Sequence, residues 1–486
     1  MKVSMSPGEH EDVMRILEPT PRLTRRLLAT SVVSTFAGGF HFGFLISAVN
    51  PLAATLRQFV VENMRIRYSW SISASQLALV WSSLAGCLFI GAVVGSHVSA
   101  HLLPSIGPRR TLLLAAGLIS CSAPVFGLAG ALDMAELLPV SRILSGVGFA
   151  IGISAQAVFL TEISPPKFRG LTNSLSGLTG NVAFFLAATL GTPYLLGTAS
   201  LWPNVFYLEV VPCVLHLILN LTYFHDSPTY LLSIGKTLEA EAALKAYHGD
   251  KCHVKRILED LRRAEEPREK SFREILNDRA SLQALSLSVA INFSVAFSGI
   301  SATSFFGTFL LQTVGFSPEA SSVANSVCGL GAILSALLAT IAFDKIGRRP
   351  LLISSLLILA LINTLMMALV SLYNSTENPV LAWPFLAVFV LFTFVFSLGI
   401  GPAAVFIGAE LAPPGTISKM QSYSTSVQFI GSFVCPIVYL SLLESIGGLS
   451  FVLFIVPLAV TAAYFYMYLP ETKGRTASEI CELLRR

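Results

Sequence analysis

Charge is the scarcest ingredient of this chain: Asp, Glu, Lys and Arg make up 12% of its 486 residues, against roughly 25% in soluble domains. That shortage excludes an ordinary water-facing surface. Cysteine is also sparse. Cys87, Cys121, Cys213, Cys328 and Cys435 fall in apolar stretches and Cys252 and Cys481 in charged segments, so no external disulfide framework is expected. No G-x-S-x-G, H-E-x-x-H, Walker A or paired Cys/His spacing occurs, which removes the usual grounds for an enzyme, a metal or a cofactor. The net charge of +4 is too small to suggest nucleic acid. Residues 1–20 lack an apolar core, so no cleavable signal peptide is expected and the first apolar stretch would direct insertion.

What fills the chain is apolar sequence, 53% hydrophobic with a mean hydropathy of +0.70. A bilayer core of about 30 Å is crossed by about 20 helical residues, and about twelve stretches meet that length. They are 27–49, 76–99, 111–132, 140–161, 174–197, 204–224, 284–314, 322–343, 350–373, 382–410, 418–444 and 449–469. An all-α membrane protein follows. Lys and Arg concentrate in alternate connections, at Arg22, Arg25, Arg26, Arg109, Arg110, Lys167, Arg169, Lys345, Arg348, Arg349, Lys419 and the tail, which predicts both termini in the cytoplasm. Arg57, Arg65 and Arg67 in the first outer connection, and Arg142 at the mouth of the fourth span, run against that pattern. The sequon at Asn374 falls in an outer connection.

Charged sequence from Ser227 to Ala280 divides the spans six and six. Its runs "TLEAEAALKAY" and "VKRILEDLRRAEE" read as short amphipathic helices on the inner face, with a solvated linker as the alternative. The expected layout is an N-terminal segment 1–26, a six-helix bundle 27–224, a linker 225–283, a second bundle 284–469 and a tail 470–486. In each half the second and third spans are joined by a Gly-basic-basic element, "SIGPRR" and "DKIGRR", as in transporters built from repeats.

"DKIGRRPLL" (344–352), "LTEISPPKFRG" (160–170), "DSPTYLL" (226–232), "GIGPAAVFIGAEL" (399–411) and "LPETKGRT" (469–476), in this order, resemble the sugar porters of the major facilitator superfamily, and most nearly the animal facilitative glucose transporters. The resemblance implies the major facilitator fold and a small-molecule substrate, a sugar or polyol, moved across a lipid bilayer, with the plasma membrane as the expected location. It also implies a cytoplasmic gate of Glu162, Arg169, Asp226, Asp344, Arg348, Arg349, Glu410 and Glu471, tying the two bundles together. Exposed ion pairs contribute roughly 0 to 1 kcal/mol each, small enough for a latch that must open. The basic residues alone would also serve as topology signals, but their acidic neighbours are not needed for that. Pro104, Ser105, Thr229 and Ile417 replace charged or amide residues common in the family, which implies a thinner latch and a more populated inward-open state.

By the same resemblance the substrate meets Asn292, Ser301, Gln428, Phe429 and Ser397. Val295, Ala296, Gly177, Val405 and Ala332 stand where the family places most of its other polar contacts. Stripped of water, a sugar's hydroxyls need partners, so these losses count against glucose and leave another sugar or polyol as the expectation. On a straight helix Ser294, Ser298, Ser301 and Thr308 share one face and Asn292, Val295, Ala296 and Gly299 the opposite one; a break near Ser298–Ser301 would re-aim the later hydroxyls. Gly399, Gly401 and Pro402 mark a hinge in the tenth span, or a static kink. Leu45 occupies the position at which proton-linked relatives carry Asp, which favours uniport over symport. His41 is either functional or a neutral histidine bonded to a neighbouring helix. A transporter of a non-sugar solute and a non-transporting sensor are the alternatives.

Overall fold

The computed structural model describes residues 23–249, 254–263, 270–413, 415–473, 475 and 477–485, and among them every regular element is a helix. The first span is interrupted. Helix α1 (Arg25–Ser34) starts at Thr24, whose hydroxyl caps the Leu27 amide, and ends in the 3-10 turn Thr35–Ala37. After Gly38 the chain resumes as α2 (Gly39–Ser47). The Gly39 amide, freed by the interruption, donates to Gln156 Oε1 at 2.9 Å. Backbone contact explains a further glycine: a Cβ on Gly43 would lie 1.8 Å from the Gly180 carbonyl oxygen, a close approach that only small residues permit.

Helix α3 (Ala53–Tyr68) occupies the first connection, where the sequence pattern suggested only a loop. Then follow α4 (Ala74–Ile106), opened by a Ser73/Gln76 capping box, α5 (Pro108–Ala131), α6 (Leu137–Ile163), α7 (Arg169–Leu190) and α8 (Pro203–Thr222). Helix α7 stops seven residues before the expected 197 because Gly191 and Pro193 follow it. The intervening charged segment forms α9 (Pro228–Ser233), α10 (Thr237–His248), α11 (Val254–Arg263) and α12 (Phe272–Asn277). Thr24 Oγ1 donates to the Tyr247 carbonyl at 2.8 Å, so α10 lies at the same end of the molecule as the start of α1.

The second half begins with α13 (Arg279–Ala296) and α14 (Ile300–Gln312), two pieces of one span, followed by α15 (Pro318–Ile346) and α16 (Arg348–Thr376). Asn374 lies in the last turn of α16 and not in a loop. Another broken span, α17 (Ala382–Leu398) and α18 (Ile400–Leu411), precedes α19 (Ile417–Ile446), α20 (Val452–Tyr468) and α21 (Ala477–Arg485). Ten stretches among the described residues are long and apolar enough to cross a membrane. One of them, Lys419–Tyr468, is 50 residues long and holds both α19 and α20, and α7 is not among the ten.

Packing within each half is dense, α4 and α5 against α6, α2 against α7, α16 against α20 and α13 against α19. Between the halves the principal seams are α4 with α19 and α7 with α15. Arg142 differs from its expected place at a span's mouth: α6 starts at Leu137, and the side chain is 1% exposed. Its guanidinium donates to the carbonyls of Leu45 and Ala85, both at 2.6 Å, because a buried cation must find acceptors where water is absent.

Candidate functional site

Glycine locates the breaks in the seventh and tenth spans. Gly299 has φ +98°, left-handed backbone that a side chain resists, and α14 restarts just after it. The Ile300 amide donates to Ser298 Oγ at 3.2 Å, and Asn363 Nδ2 donates to the Ser298 carbonyl at 3.0 Å, so the freed backbone groups are satisfied. In the tenth span α17 ends at Leu398 and Gly399 adopts φ −113°, ψ −100°. A Cβ there would lie 2.3 Å from that of Ser355. Pro402 sits in the first turn of α18, where its missing N–H leaves no bond unmade, so the bend belongs to Gly399 rather than to the proline. Gly401 lies between them against Phe396.

Around these breaks the expected substrate residues differ in what they can offer. Asn292 is buried and its Nδ2 donates to the Ser288 carbonyl of its own helix at 2.8 Å. Ser294, on the opposite face, donates to Thr461 Oγ1 at 2.7 Å and so joins α13 to α20. Ser301 is buried in the first turn of α14, while Gln428 and Ser397 are half-buried. Phe429 stacks on Phe89 with ring centres 5.9 Å apart and meets Phe149 edge-on at 6.0 Å. Phe89 in turn meets Phe305 at 6.1 Å. This ring cluster draws together α4, α6, α14 and α19 from both halves. Gly177 has open space where a Cβ would stand.

At the end remote from the linker helices, Asn50 bridges the halves. Its Oδ1 accepts from the Thr308 amide at 3.1 Å, and Thr308 Oγ1 lies 2.7 Å from Asn50 Oδ1 and 3.1 Å from its carbonyl oxygen. A Cβ on Gly307 would meet Asn325 Oδ1 at 2.5 Å and Asn50 Nδ2 at 3.1 Å, so glycine is what lets the two asparagines close over this turn. A second cross-half bond runs from Asn181 Nδ2 to the Ala332 carbonyl at 3.1 Å.

At the linker end the charged residues gather in two groups. Glu471 accepts from the backbone amides of Arg348 at 3.0 Å, Arg349 at 3.1 Å and Lys473 at 2.9 Å. A carboxylate on the N-terminus of α16 is placed where the helix dipole favours it. Partial burial acts to raise the Glu471 pKa, but the backbone N–H groups outweigh it and hold the pKa below the usual glutamate value. Arg348 Nε lies 3.6 Å from Glu410 Oε1, Thr472 donates to Glu410 Oε2 at 2.6 Å, and Arg349 donates to the Tyr466 carbonyl at 2.7 Å. In the first half Ser227 donates to Glu162, Arg169 Nε donates to the Ser164 carbonyl at 3.3 Å, and Asp226 accepts from the Ser227 amide at 3.1 Å. Burial raises the Asp226 pKa, against the pull of Arg109 and Arg110. Each of these contacts stays within its own half, whereas the sequence suggested ties between bundles. The side chain of Asp344 lies outside the described residues.

The family model described as "Sugar (and other) transporter" matches residues 28–484. The chain belongs to this family. Relatives include the mouse solute carrier family 2, facilitated glucose transporter member 7, 26% identical over 96% of this chain and 91% of that protein. The facilitated glucose transporter protein 1 of Caenorhabditis elegans is 26% identical over 98% and 95%. In fold, the xylose transporter XylE of E. coli, solved in a partially occluded inward open conformation, superposes with a TM-score of 0.76 at 18% identity, over 93% of this chain and 100% of that one. The all-α major facilitator fold is thereby shown, and the transporter is an integral membrane protein rather than an enzyme.

Sequence patterns did not single out Asn50, Asn325 or the Phe89, Phe149 and Phe305 rings of this transporter, because each lies in an apolar run and matters only through what it faces. His41 was noticed for its charge: fully buried, its Nδ1 is 3.1 Å from Glu209 Oε1 on α8 and its Nε2 is 3.0 Å from Cys213 Sγ. Both partners lie on the neighbouring helix α8.

Proposed function

We propose that the chain is a uniporter for a hexose or a related sugar or polyol, working by alternating access between two six-helix bundles, 27–224 and 284–469. What carries the reading is the set of glycine breaks at Gly38, Gly299 and Gly399, the first two of them in spans that meet across the halves. Broken helices are tolerated in membranes where they are covered by protein or line a cavity. The similarity to proteins named as facilitated glucose transporters supports the same solute class.

The first and second spans supply the uniport argument. Arg142 is occupied by the Leu45 and Ala85 carbonyls, and Leu45 stands where a proton-linked relative would offer a carboxylate. Among the described residues the remote end is bridged by Asn50 and Thr308, while the linker-end contacts named above run within single halves. In our reading this conformer faces the cytoplasm, both termini lie there, and the membrane is the plasma membrane. Asn292, Ser301, Gln428, Phe429 and Ser397 then border the substrate, Gly399 with its neighbours Gly401 and Pro402 serves as hinge, and the gate residues brace the ends of their own bundles.

Uptake of labelled glucose, fructose and polyols into proteoliposomes, with and without a pH gradient, tests this. Equilibration without accumulation is expected; gradient-driven accumulation would overturn uniport. A non-sugar solute is the second reading, favoured by the four-phenylalanine cluster where a sugar would need donors and acceptors.

A further inference from the structure

Three arginines stand on α3, the helix of the first outer connection, and two have partners. Arg65 pairs with Glu62 at 2.6 Å, and Arg67 lies 3.4 Å from Glu136. Arg57 has no hydrogen bond or ion pair among the described residues, although it is half-buried. Desolvation lowers its pKa from the ordinary arginine value, and Glu444 on α19 attracts it only from beyond ion-pair distance. A half-buried guanidinium that keeps contact with water and has no acceptor in the protein can still take an anion, which makes its surroundings informative.

Those surroundings are a cavity of about 130 Å³ next to the Asn50–Thr308 contact, walled by Asn50, Arg57, Trp81, Phe305, Thr308 and Gln312 among others. A cavity of about 150 Å³ accommodates a benzene ring, so this one takes only part of a sugar-sized solute, the rest of which would lie in its open mouth. Trp81 and Phe305 are 2% and 0% exposed and present aromatic wall, while the buried Asn50 Nδ2 has no hydrogen-bond partner. The inventory is one cation, one free amide donor and two aromatic side chains, with the nearest competing carboxylate held at a distance.

We propose that this cavity is an outer loading site for an acidic ring solute, its carboxylate on Arg57 and its ring against Trp81 and Phe305. Guanidinium and carboxylate match in charge and in paired geometry, and aromatic walls suit a ring's less polar face. Taking the solute to be a sugar acid of the uronate type rests on the sugar-transport reading above; the anion site itself does not.

Calorimetry on the full chain in nanodiscs, with D-glucuronate and D-glucose as probes, tests it. Glucuronate is expected to bind at least tenfold more tightly than glucose, Arg57→Gln to remove that preference, and Glu444→Gln to strengthen it by relieving the competing carboxylate. Equal binding of the two sugars by the wild-type chain, or glucuronate binding unchanged in Arg57→Gln, would overturn the proposal. Flux measured on the same preparations separates the two readings. Arg57-dependent binding without flux of any sugar would count against transport alone, and sugar flux without an Arg57 effect on binding would remove the loading site alone.

Discussion

Replacing Thr308 by Val tests the closure at the end remote from the linker. Two oxygens of Asn50 lie within reach of Thr308 Oγ1, at 2.7 and 3.1 Å, but a hydroxyl carries a single hydrogen. The substitution therefore removes about one donated bond, while the Thr308 amide keeps its own bond to Asn50 Oδ1 at 3.1 Å. A typical net hydrogen bond contributes about 0.5 to 1.5 kcal/mol, so the closed state should lose about 1 kcal/mol, equivalent to roughly a fivefold shift in the gating equilibrium. Asn50→Ala leaves the buried Thr308 amide without its acceptor, although the backbone carbonyl at position 50 can still take the hydroxyl, and should shift it roughly five- to 150-fold, from about 1 to 3 kcal/mol. Labelling of a Ser322→Cys variant, whose site lines the adjoining cavity, by an impermeant maleimide applied from the remote side reads the open population. Faster labelling in both variants, in the order Asn50→Ala over Thr308→Val, is expected. Unchanged labelling in both would refute the idea that this contact holds that end shut.

Gly299→Ala should cost about 1 to 2 kcal/mol from its left-handed backbone, and more from the Asn363 and Phe454 atoms 3.1 and 3.3 Å from the new methyl; a lower melting temperature together with reduced flux is the expected outcome. Because the Glu471 pKa is depressed from its ordinary 4.5, its contribution to stability is complete above that value and drains away as pH falls through the folded-state pKa. Glu471→Gln should flatten this acid limb and lower stability at neutral pH by about 1 kcal/mol, and thermal melts between pH 3 and 7 would show an undiminished limb if the reasoning is wrong. Asn292→Ala is expected to impair flux more than Ser294→Ala once both are normalised to folded protein. The reverse order would move the substrate-facing side of α13 to the face that packs on α20.

Several of these groups were legible before any fold was known, for reasons that differ. The Arg348–Arg349 pair and Glu471 are charges in an apolar chain, and charges must collect at span ends where water reaches them. What they bond to was not legible: Glu471 folds back on the start of α16 within its own half, where the amides of Arg348 and Arg349 donate to it, with that of Lys473 beside them. Asn292 shows the same limit from the other direction. Its position on α13 followed from helical periodicity, yet its amide turns onto its own helix, a choice made by local rotamer and packing. Arg142 was placed by its distance from a loop and is in fact enclosed, since the helix begins earlier than hydropathy suggests.

The sequence by itself determined the solvent, the helical class and the family, because apolar length, alternating cationic connections and ordered motifs are properties of the chain read in one dimension. It also marked Gly399 as a position where a helix could yield, and Ser298–Ser301 as a stretch where a break would re-aim the later hydroxyls. Only the tertiary structure decided which residues meet across the halves. Asn50 and Thr308 are separated by 258 residues, and the phenylalanines of α4, α6, α14 and α19 are ordinary apolar residues until packing brings their rings together. Periodicity fixes the face a side chain occupies; the partner on the other side of that face is set by how whole helices pack.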